Sequence, residues 1–272
     1  VKKVITYLYY FWEFLRYRDF ISIIASVNYL FTKKSHSKDR VVNTGIGKFY
    51  CRKNTNDFLF ANFAYEKSVK RFIFKNLKKF DIFFDAGACI GDYSILMAKS
   101  GLKCFAFEPV SDSYRVLSRN IQLNDAGALI QSFPFGLSND NHSVTFVFNP
   151  VNTGDSHIDR HGGSGNCEVE VKTLDSVYKA FNLNSSNRVL FKLDVEGMEK
   201  EVIQGAVEFI RYFDNLTLII ESTHTPEPVI KETLDGIAGF DYGKVDDYNI
   251  FACKKSGLTG PYSCNLIHKM SL

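Results

Sequence analysis

No C-x-x-C pair occurs among the six cysteines, Cys51, Cys89, Cys104, Cys167, Cys253 and Cys264, which removes the common zinc and thiol-exchange patterns. Cys104 and Cys253 lie inside apolar runs, so buried free thiols in a reduced, cytoplasmic protein are the expectation. Charge of one sign is also scarce, since 33 Lys and Arg against 30 Asp and Glu leave a net +3. A dedicated nucleic-acid binder would carry a larger or more clustered basic stripe, so no nucleic-acid partner is expected. There is no G-x-x-x-x-G-K-[ST] run, which excludes a P-loop, and no repeat or low-complexity tract. No uninterrupted apolar run reaches the about 20 residues that a spanning helix needs. No small-residue cleavage site follows the N-terminal apolar stretch, so a signal peptide is not expected.

What the chain does hold is core material. Hydrophobic residues make up 45% and aromatics 15% of 272 residues, a length that suits one large or two smaller domains. Ile82–Pro109 is the most informative stretch. Ile82, Phe83 and Phe84 form the continuous apolar run of a strand buried on both faces. Asp85 ends it, Gly87 and Gly91 flank a tight turn into a helix over 92–99, and a second apolar strand over 102–107 delivers Glu108 and Pro109. This pattern is the first βαβ unit of a nucleotide-type site, where glycines admit a ligand close to the backbone and the second strand's acid reaches a ribose diol. The dinucleotide fingerprint G-x-G-x-x-G needs its middle glycine where this chain has Cys89, and a side chain there would crowd a pyrophosphate. A nucleoside without phosphates survives that test. S-adenosylmethionine fits, with the turn's amides facing its carboxylate and an acid taking its ammonium.

Around this unit the chain divides into an N-terminal helical extension over 1–40, a hairpin and helix cap over 41–80, and the main domain over 81–272. Residues 4–31 are rich in aromatics and helical in pattern, but Glu13, Arg16, Arg18 and Asp19 interrupt their middle. The two halves are read as a helical hairpin turned near Arg16–Asp19 and packed on a later domain. Lying on a membrane interface is the alternative, because Lys2, Lys3, Lys33 and Lys34 flank the stretch. Residues 41–52, with Gly45 and Gly47, suggest a small β-hairpin, and a helical pattern runs from Asp57 to Leu77.

After Glu108 a helix follows from Ser111 to Leu123, then a third strand over 129–135 closed by Gly136. Strands over 143–148 and 167–172 flank the glycine-rich segment 149–166, which holds His157 and is read as an acceptor-binding loop. A short helix over 174–181, a strand over 189–193, a helix over 199–209, a strand over 216–220, a helix over 228–237 and a closing hairpin turned at Asp246–Asp247 complete the pattern. Helices alternating with apolar strands give an α/β, doubly wound sheet, whose ligands bind outside the C-terminal strand ends. Asp85, Glu108, Asp194 and Glu221 each close a strand at that edge. Lys192 inside an apolar strand is costly without a carboxylate, so it pairs with Asp194 or Glu196, as a structural ion pair or as part of the chemistry.

Phe84-Asp85-Ala86-Gly87-Ala88-Cys89-Ile90-Gly91-Asp92-Tyr93-Ser94 resembles the first motif of FkbM-type methyltransferases, and Phe107-Glu108-Pro109 resembles their second. Lys192-Leu193-Asp194-Val195-Glu196-Gly197-Met198-Glu199, with Val202 and Gly205-Ala206 beyond, is similar to their K-x-D-V-E-G-x-E signature. Thr173-Leu174-Asp175, Arg52 and Asp57 also match. The resemblance covers about residues 41–222, and its clear departure is Cys89, where the family usually carries asparagine. It implies a Rossmann-like class I methyltransferase, a mostly parallel seven-stranded sheet with the last strand antiparallel. It also implies S-adenosyl-L-methionine as cofactor and methyl transfer to a hydroxyl, often that of a sugar, a lipid-linked glycan or a polyketide.

For such a reaction the site aligns an in-line displacement, and a base accepts the hydroxyl's proton. Asp194 is the first candidate base, Glu196 the second and His157 the third. Asp85, Gly87, Cys89, Gly91, Tyr93, Ser94 and Glu108 are the candidate cofactor residues. No metal is assigned, although Glu221 and His224 with Asp194 could hold a divalent cation. The acceptor is expected to be a glycan or glycolipid hydroxyl, with peripheral membrane contact through residues 4–31 as the alternative for that segment. A non-catalytic S-adenosylmethionine-binding module and an NAD-dependent oxidoreductase are the competing functions.

Overall fold

Apolar runs with no polar alternation become strands covered on both faces. The computed structural model describes residues 2–32, 35–147, 149, 151–152, 157–158 and 166–255, with backbone alone at 2–6, 30 and 157–158. Helices α1 (Lys2–Arg16) and α2 (Phe20–Thr32) precede an antiparallel hairpin of β1 (Arg40–Asn43) and β2 (Lys48–Cys51). Then come α3 (Asp57–Phe60), α4 (Lys67–Asn76), β3 (Ile82–Ala86), α5 (Asp92–Lys99), β4 (Lys103–Phe107), α6 (Ser111–Leu123) and β5 (Ile130–Phe133). Strands β6 (Gly136–Leu137), β7 (His142–Val147), β8 (His157–Ile158) and β9 (Cys167–Lys172) form a separate sheet in the order β6-β9-β7-β8. The remainder is α7 (Leu174–Val177), β10 (Arg188–Leu193), α8 (Glu199–Gln204), α9 (Val207–Tyr212), β11 (Asn215–Glu221), α10 (Glu227–Asp235), β12 (Phe240–Lys244) and β13 (Asn249–Lys254).

The main sheet has seven strands in the order β12-β13-β11-β10-β3-β4-β5, and β13 alone runs against the others. This is the doubly wound sheet expected. Alternate residues feed opposite cores: Phe83, Leu190 and Ile219 pack with Ile95 and Leu117 on one side. Phe84, Phe191 and Leu218 pack with Val202 and Phe209 on the other. Phe84 is the hub of the second core, its ring 4.9 Å from Phe105 and 4.8 Å from Phe209. Burying each such side chain contributes about 1.5–3 kcal/mol. Strand order reverses between β3 and β10, so the C-terminal ends of β3, β4, β10 and β11 flank one crevice.

Three elements differ from the sequence reading. The helix expected over 57–77 is two, because Glu66 adopts the left-handed region (φ 46°) and restarts the chain as α4. The strand expected over 129–135 stops at Phe133, before Pro134, which has no N–H for a ladder, and Gly136–Leu137 joins β9 instead. The helix expected over 199–209 breaks at Gly205–Ala206. There the backbone of Gly205 lies so close to Ser138 that a Cβ would sit 1.9 Å from its carbonyl oxygen. The Asp175 carboxylate then caps α9, accepting from Glu208 N (2.9 Å) and Phe209 N (2.8 Å), while Asp175 N donates to Gly205 O (3.0 Å). Thr173-Leu174-Asp175 and Gly205-Ala206, far apart in sequence, thus form one joint. Gly205→Ala should destabilise the protein by about 1–3 kcal/mol, read as a lowered denaturation midpoint, since backbone rather than a flexible tip must yield.

The N-terminal segment is a helical hairpin, turned through Arg18 in the left-handed region (φ 55°). Its two acids and Ser22 face the protein. Glu13 Oε1 accepts from Gly45 N at 2.6 Å, and Asp19 accepts from Ser22 Oγ at 2.6 Å and pairs with Arg40 at 2.6 Å. Among the described residues no helix is long and apolar enough to cross a membrane. Among the described residues no cysteine is in a disulfide; Cys51, Cys104 and Cys253 are buried, Cys89 and Cys167 are half-buried, and Cys264 lies outside the described residues.

Candidate active site

The turn from β3 into α5 needs backbone that most residues resist. Gly87 has φ +84°, and a Cβ there would lie 1.9 Å from Asp194 O. Gly91 has φ +86°, and a Cβ there would lie 2.4 Å from Leu117 Cδ1. Between them Cys89 is also left-handed, at φ 46°. Its N–H donates to Glu108 Oε2 (2.8 Å) and Val110 N donates to Oε1 (2.8 Å), so one carboxylate ties the turn to the end of β4. Burial pushes Glu108 up to about 7, against the two amide hydrogen bonds that favour its charge. Asparagine tolerates the left-handed region better than cysteine, so Cys89→Asn should stabilise the protein by about 0.5–1 kcal/mol, seen as a raised thermal midpoint.

Asp85, at the end of β3, accepts from Ser94 Oγ at 2.6 Å, and burial raises it to about 6. Beside it lies a buried charge cluster. Lys192 Nζ donates to Asp194 Oδ2 at 2.6 Å and stands 3.9 Å from Glu66 Oε2. Desolvation opposes its charge, but Asp194, Glu66 and Asp85 together raise its pKa and keep it an ammonium. Burial likewise opposes ionisation of Asp194, and Lys192 overcomes it, holding the carboxyl below its ordinary range. Glu221 is pushed the other way, to about 9, by burial and then by Asp194. The two acids therefore share one proton at neutral pH. The Tyr93 ring lies between two ammonium groups, Lys70 at 4.9 Å and Lys192 at 4.7 Å from its centroid. Lys70 is fully buried, donating to Tyr65 O (2.7 Å) and Asp92 Oδ2 (3.2 Å).

Beyond Asp194 the chain turns through Glu196 (φ 50°) and Gly197 (φ 97°). Glu199 holds that turn from inside. Its Oε1 accepts from Val195 N (3.3 Å) and Gly197 N (3.2 Å), and its Oε2 accepts from Thr225 Oγ1. Glu196 pairs with His224 Nε2 at 3.0 Å. Single carboxylate oxygens of Asp194, Glu196 and Glu221 lie within 4.8 Å of one another, a donor set that suits a hard divalent cation in exchange for the shared proton.

Asp85, Gly87, Cys89, Tyr93, Glu108, Asp194 and Glu196 all line one cleft. Gly91 and Ser94 do not line it. Gly91 shapes the turn, and Ser94, fully buried, reaches the cleft only through Asp85. His157 has its backbone paired with Val147, and its side chain lies outside the described residues, as does most of segment 149–166. The start of that segment is anchored, with Asn56 N donating to Val151 O (3.0 Å) and Asn56 Nδ2 to Asn152 Oδ1 (2.5 Å). Arg52 and Asp57 form a two-pronged pair (2.8 and 2.9 Å), and neither lines the cleft. Sequence reasoning missed Glu66, Lys70 and the role of Glu199. Lys70 carried a signal, standing three residues before Ile73 on the inward face of α4.

The sheet order, the glycine turn and the acid at the end of β4 define a class I methyltransferase, with S-adenosyl-L-methionine as its methyl donor. The cleft fits that cofactor, because Glu108, buried at the end of β4, lines it with a carboxylate placed to meet a ribose diol. A model of the methyltransferase FkbM domain matches residues 85–248, and the chain belongs to the FkbM methyltransferase family. It is 29% identical over 223 residues to methyltransferase sdnD of Sordaria araneosa, across 66% of this chain and 85% of that one. It is 26% identical over 168 residues to the hexuronic acid methyltransferase AglP of Haloferax volcanii, across 61% of this chain and 66% of AglP. The solved FkbM methyltransferase of Methylobacillus flagellatus is 17% identical with a TM-score of 0.46, over 64% of this chain and 44% of that one.

Proposed function

We propose that the protein is an O-methyltransferase acting on a sugar hydroxyl in a glycan or glycolipid. The observation that carries this reading is the Asp194 carboxylate, held by Lys192 at 2.6 Å, sharing one cleft with Glu108. AglP, a relative named for a hexuronic acid, supports a sugar acceptor. A glycolipid acceptor would sit at a membrane, and residues 4–31 are the segment through which peripheral contact would be made.

Bound S-adenosylmethionine supplies an electrophilic methyl on a sulfonium sulfur. Glu108 would accept hydrogen bonds from the ribose hydroxyls, and Asp85 would take the ammonium. The amides of Gly87 and Ala88 already donate to Phe107 O and that of Cys89 to Glu108, so the turn does not offer them to the carboxylate as the sequence reading expected. Lys192 fixes the Asp194 carboxylate by its 2.6 Å hydrogen bond, and Asp194 takes the acceptor's proton as the new O–C bond forms. Glu196 and His157 are the second and third candidates for that role. Alignment of the two reactants supplies most of the acceleration, up to roughly 7–11 kcal/mol.

A thermal-shift comparison of S-adenosylmethionine with NAD, followed by methyl transfer to hexose and hexuronic acid glycosides, tests the proposal. Stabilisation by the first cofactor and product from a sugar are expected. Stabilisation by NAD alone would overturn the cofactor site, and S-adenosylmethionine binding with no transfer to any sugar would reduce the protein to a binding module or move the acceptor to another class.

A further inference from the structure

The outer face of the N-terminal hairpin inverts the usual arrangement of polar and apolar residues. On α1, Leu8, Phe11, Trp12 and Leu15 recur at the spacing of a single helix face and are exposed. On α2, Phe20, Ile24, Val27 and Phe31 do the same. Trp12 is 65% and Phe31 84% exposed, whereas Glu13, Asp19 and Ser22 are buried against the rest of the protein. A water-facing surface rarely gathers large apolar side chains into one patch.

Charge narrows what covers it. Glu13 and Asp19 are the only acids among residues 1–34, and both are turned inward and hydrogen-bonded. Arg16 and Arg18 are exposed at the turn, and the sequence sets Lys2, Lys3, Lys33 and Lys34 at the other ends of the two helices. The patch therefore has an apolar, partly aromatic centre, bordered at the turn by the exposed Arg16 and Arg18. A second copy of the chain would bring the same positive charges against it, whereas an anionic lipid surface complements both the apolar centre and the charge. At 15 residues α1 is about 22 Å long, short of a bilayer's hydrocarbon core, so the hairpin can lie in the interface but not cross it.

We propose that this face seats the protein on an anionic lipid bilayer, with the hairpin lying in the interface plane, aromatic rings at headgroup depth and basic side chains against lipid phosphates. The proposal stands apart from the methyl-transfer reading, since it concerns a different surface and is read by a different signal. Trp12 is the sole tryptophan and lies in the patch, so the protein carries its own reporter.

The test uses the full chain with vesicles of phosphatidylcholine, alone or with phosphatidylglycerol. Expected are a blue shift of Trp12 emission and co-sedimentation with the anionic vesicles, both weakened by raised salt. An Ile24→Glu, Phe31→Glu double variant keeps the reporter and should partition at least about tenfold more weakly, with its circular dichroism and S-adenosylmethionine thermal shift unchanged. Equal binding by the variant, equal binding to neutral vesicles, or no shift with anionic vesicles would overturn the proposal. A dimer in sedimentation equilibrium that the double variant dissolves, with vesicles ignored, would assign the face to a second copy instead.

Discussion

Asp194→Asn should lower kcat by about 10²–10⁴-fold while leaving S-adenosylmethionine binding within a few-fold of the parent. The amide keeps the shape of the carboxylate and can still accept from Lys192, but it cannot take a proton. A carboxylate beside an ammonium 2.6 Å away is a weak base, and the adjoining Glu221, at about 9, shows where the missing basicity lies. Asp194 and Glu221 act as a pair holding one proton, so the acceptor's proton enters a site already built to share one. Release of S-adenosylhomocysteine at saturating cofactor, with a sugar acceptor, reads the effect, and the cofactor-induced thermal shift reports whether the fold survives loss of the charge. The destabilisation is smaller than for a fully buried pair, because the Asp194 side chain is 23% exposed and Lys192 keeps Glu66 within 3.9 Å. Undiminished kcat in the variant would remove Asp194 as the base.

The second large effect concerns the cofactor. Glu108→Ala removes the acceptor for Cys89 N and Val110 N as well as the acceptor for a ribose diol. Hydrogen bonds to a charged group are worth about 1.5–3 kcal/mol each, so losing two to the ligand should weaken binding by at least about 100-fold. Glu108→Gln is the sharper variant, because it separates charge from space. The buried carboxyl has its folded pKa raised to about 7, so its contribution to stability is present below the unfolded value and is lost as pH rises through about 7. Ligand hydroxyls donate to the ionised form, which gives binding the opposite sign. Affinity for S-adenosylmethionine should weaken as pH falls below about 7, by close to tenfold per unit at the limit of one proton, and level off above it. Titration calorimetry across pH 5.5–8.5 measures the slope, and Glu108→Gln should flatten it. A slope unchanged in that variant would assign the linkage to another acid, with Asp85, raised to about 6, next in line.

The sequence made the central strands plain because burial on both faces fills the middles of β3, β10 and β11 with runs of Ile, Leu, Val and Phe. The strand-end acids were equally visible, since an acid that closes an apolar run has no packing reason to be there. Contacts closed by long loops were not. Nothing near Gly205 shows that Ser138 will press against it, and nothing near Glu66 shows that Lys192 will draw it toward the cleft. A lysine such as Lys70 on a basic helix resembles a solvated face until Asp92 and the Tyr65 carbonyl are found beneath it. The hairpin at the N-terminus posed a choice between packing inward and facing outward, and its helices do both, on opposite faces.

One consequence of the turn after β10 concerns how such a site can be retuned. The turn is held by Glu199, whose carboxylate grips the backbone on either side of residue 196, while the Glu196 side chain reaches away from the loop to His224. Residue 196 therefore works like an interchangeable fitting. Its replacement alters the charge and reach offered at the mouth of the cleft without loosening the loop that presents Asp194. The left-handed backbone there (φ 50°) favours Asn, Asp or Gly over β-branched residues, which sets the alphabet for altering acceptor choice at this position.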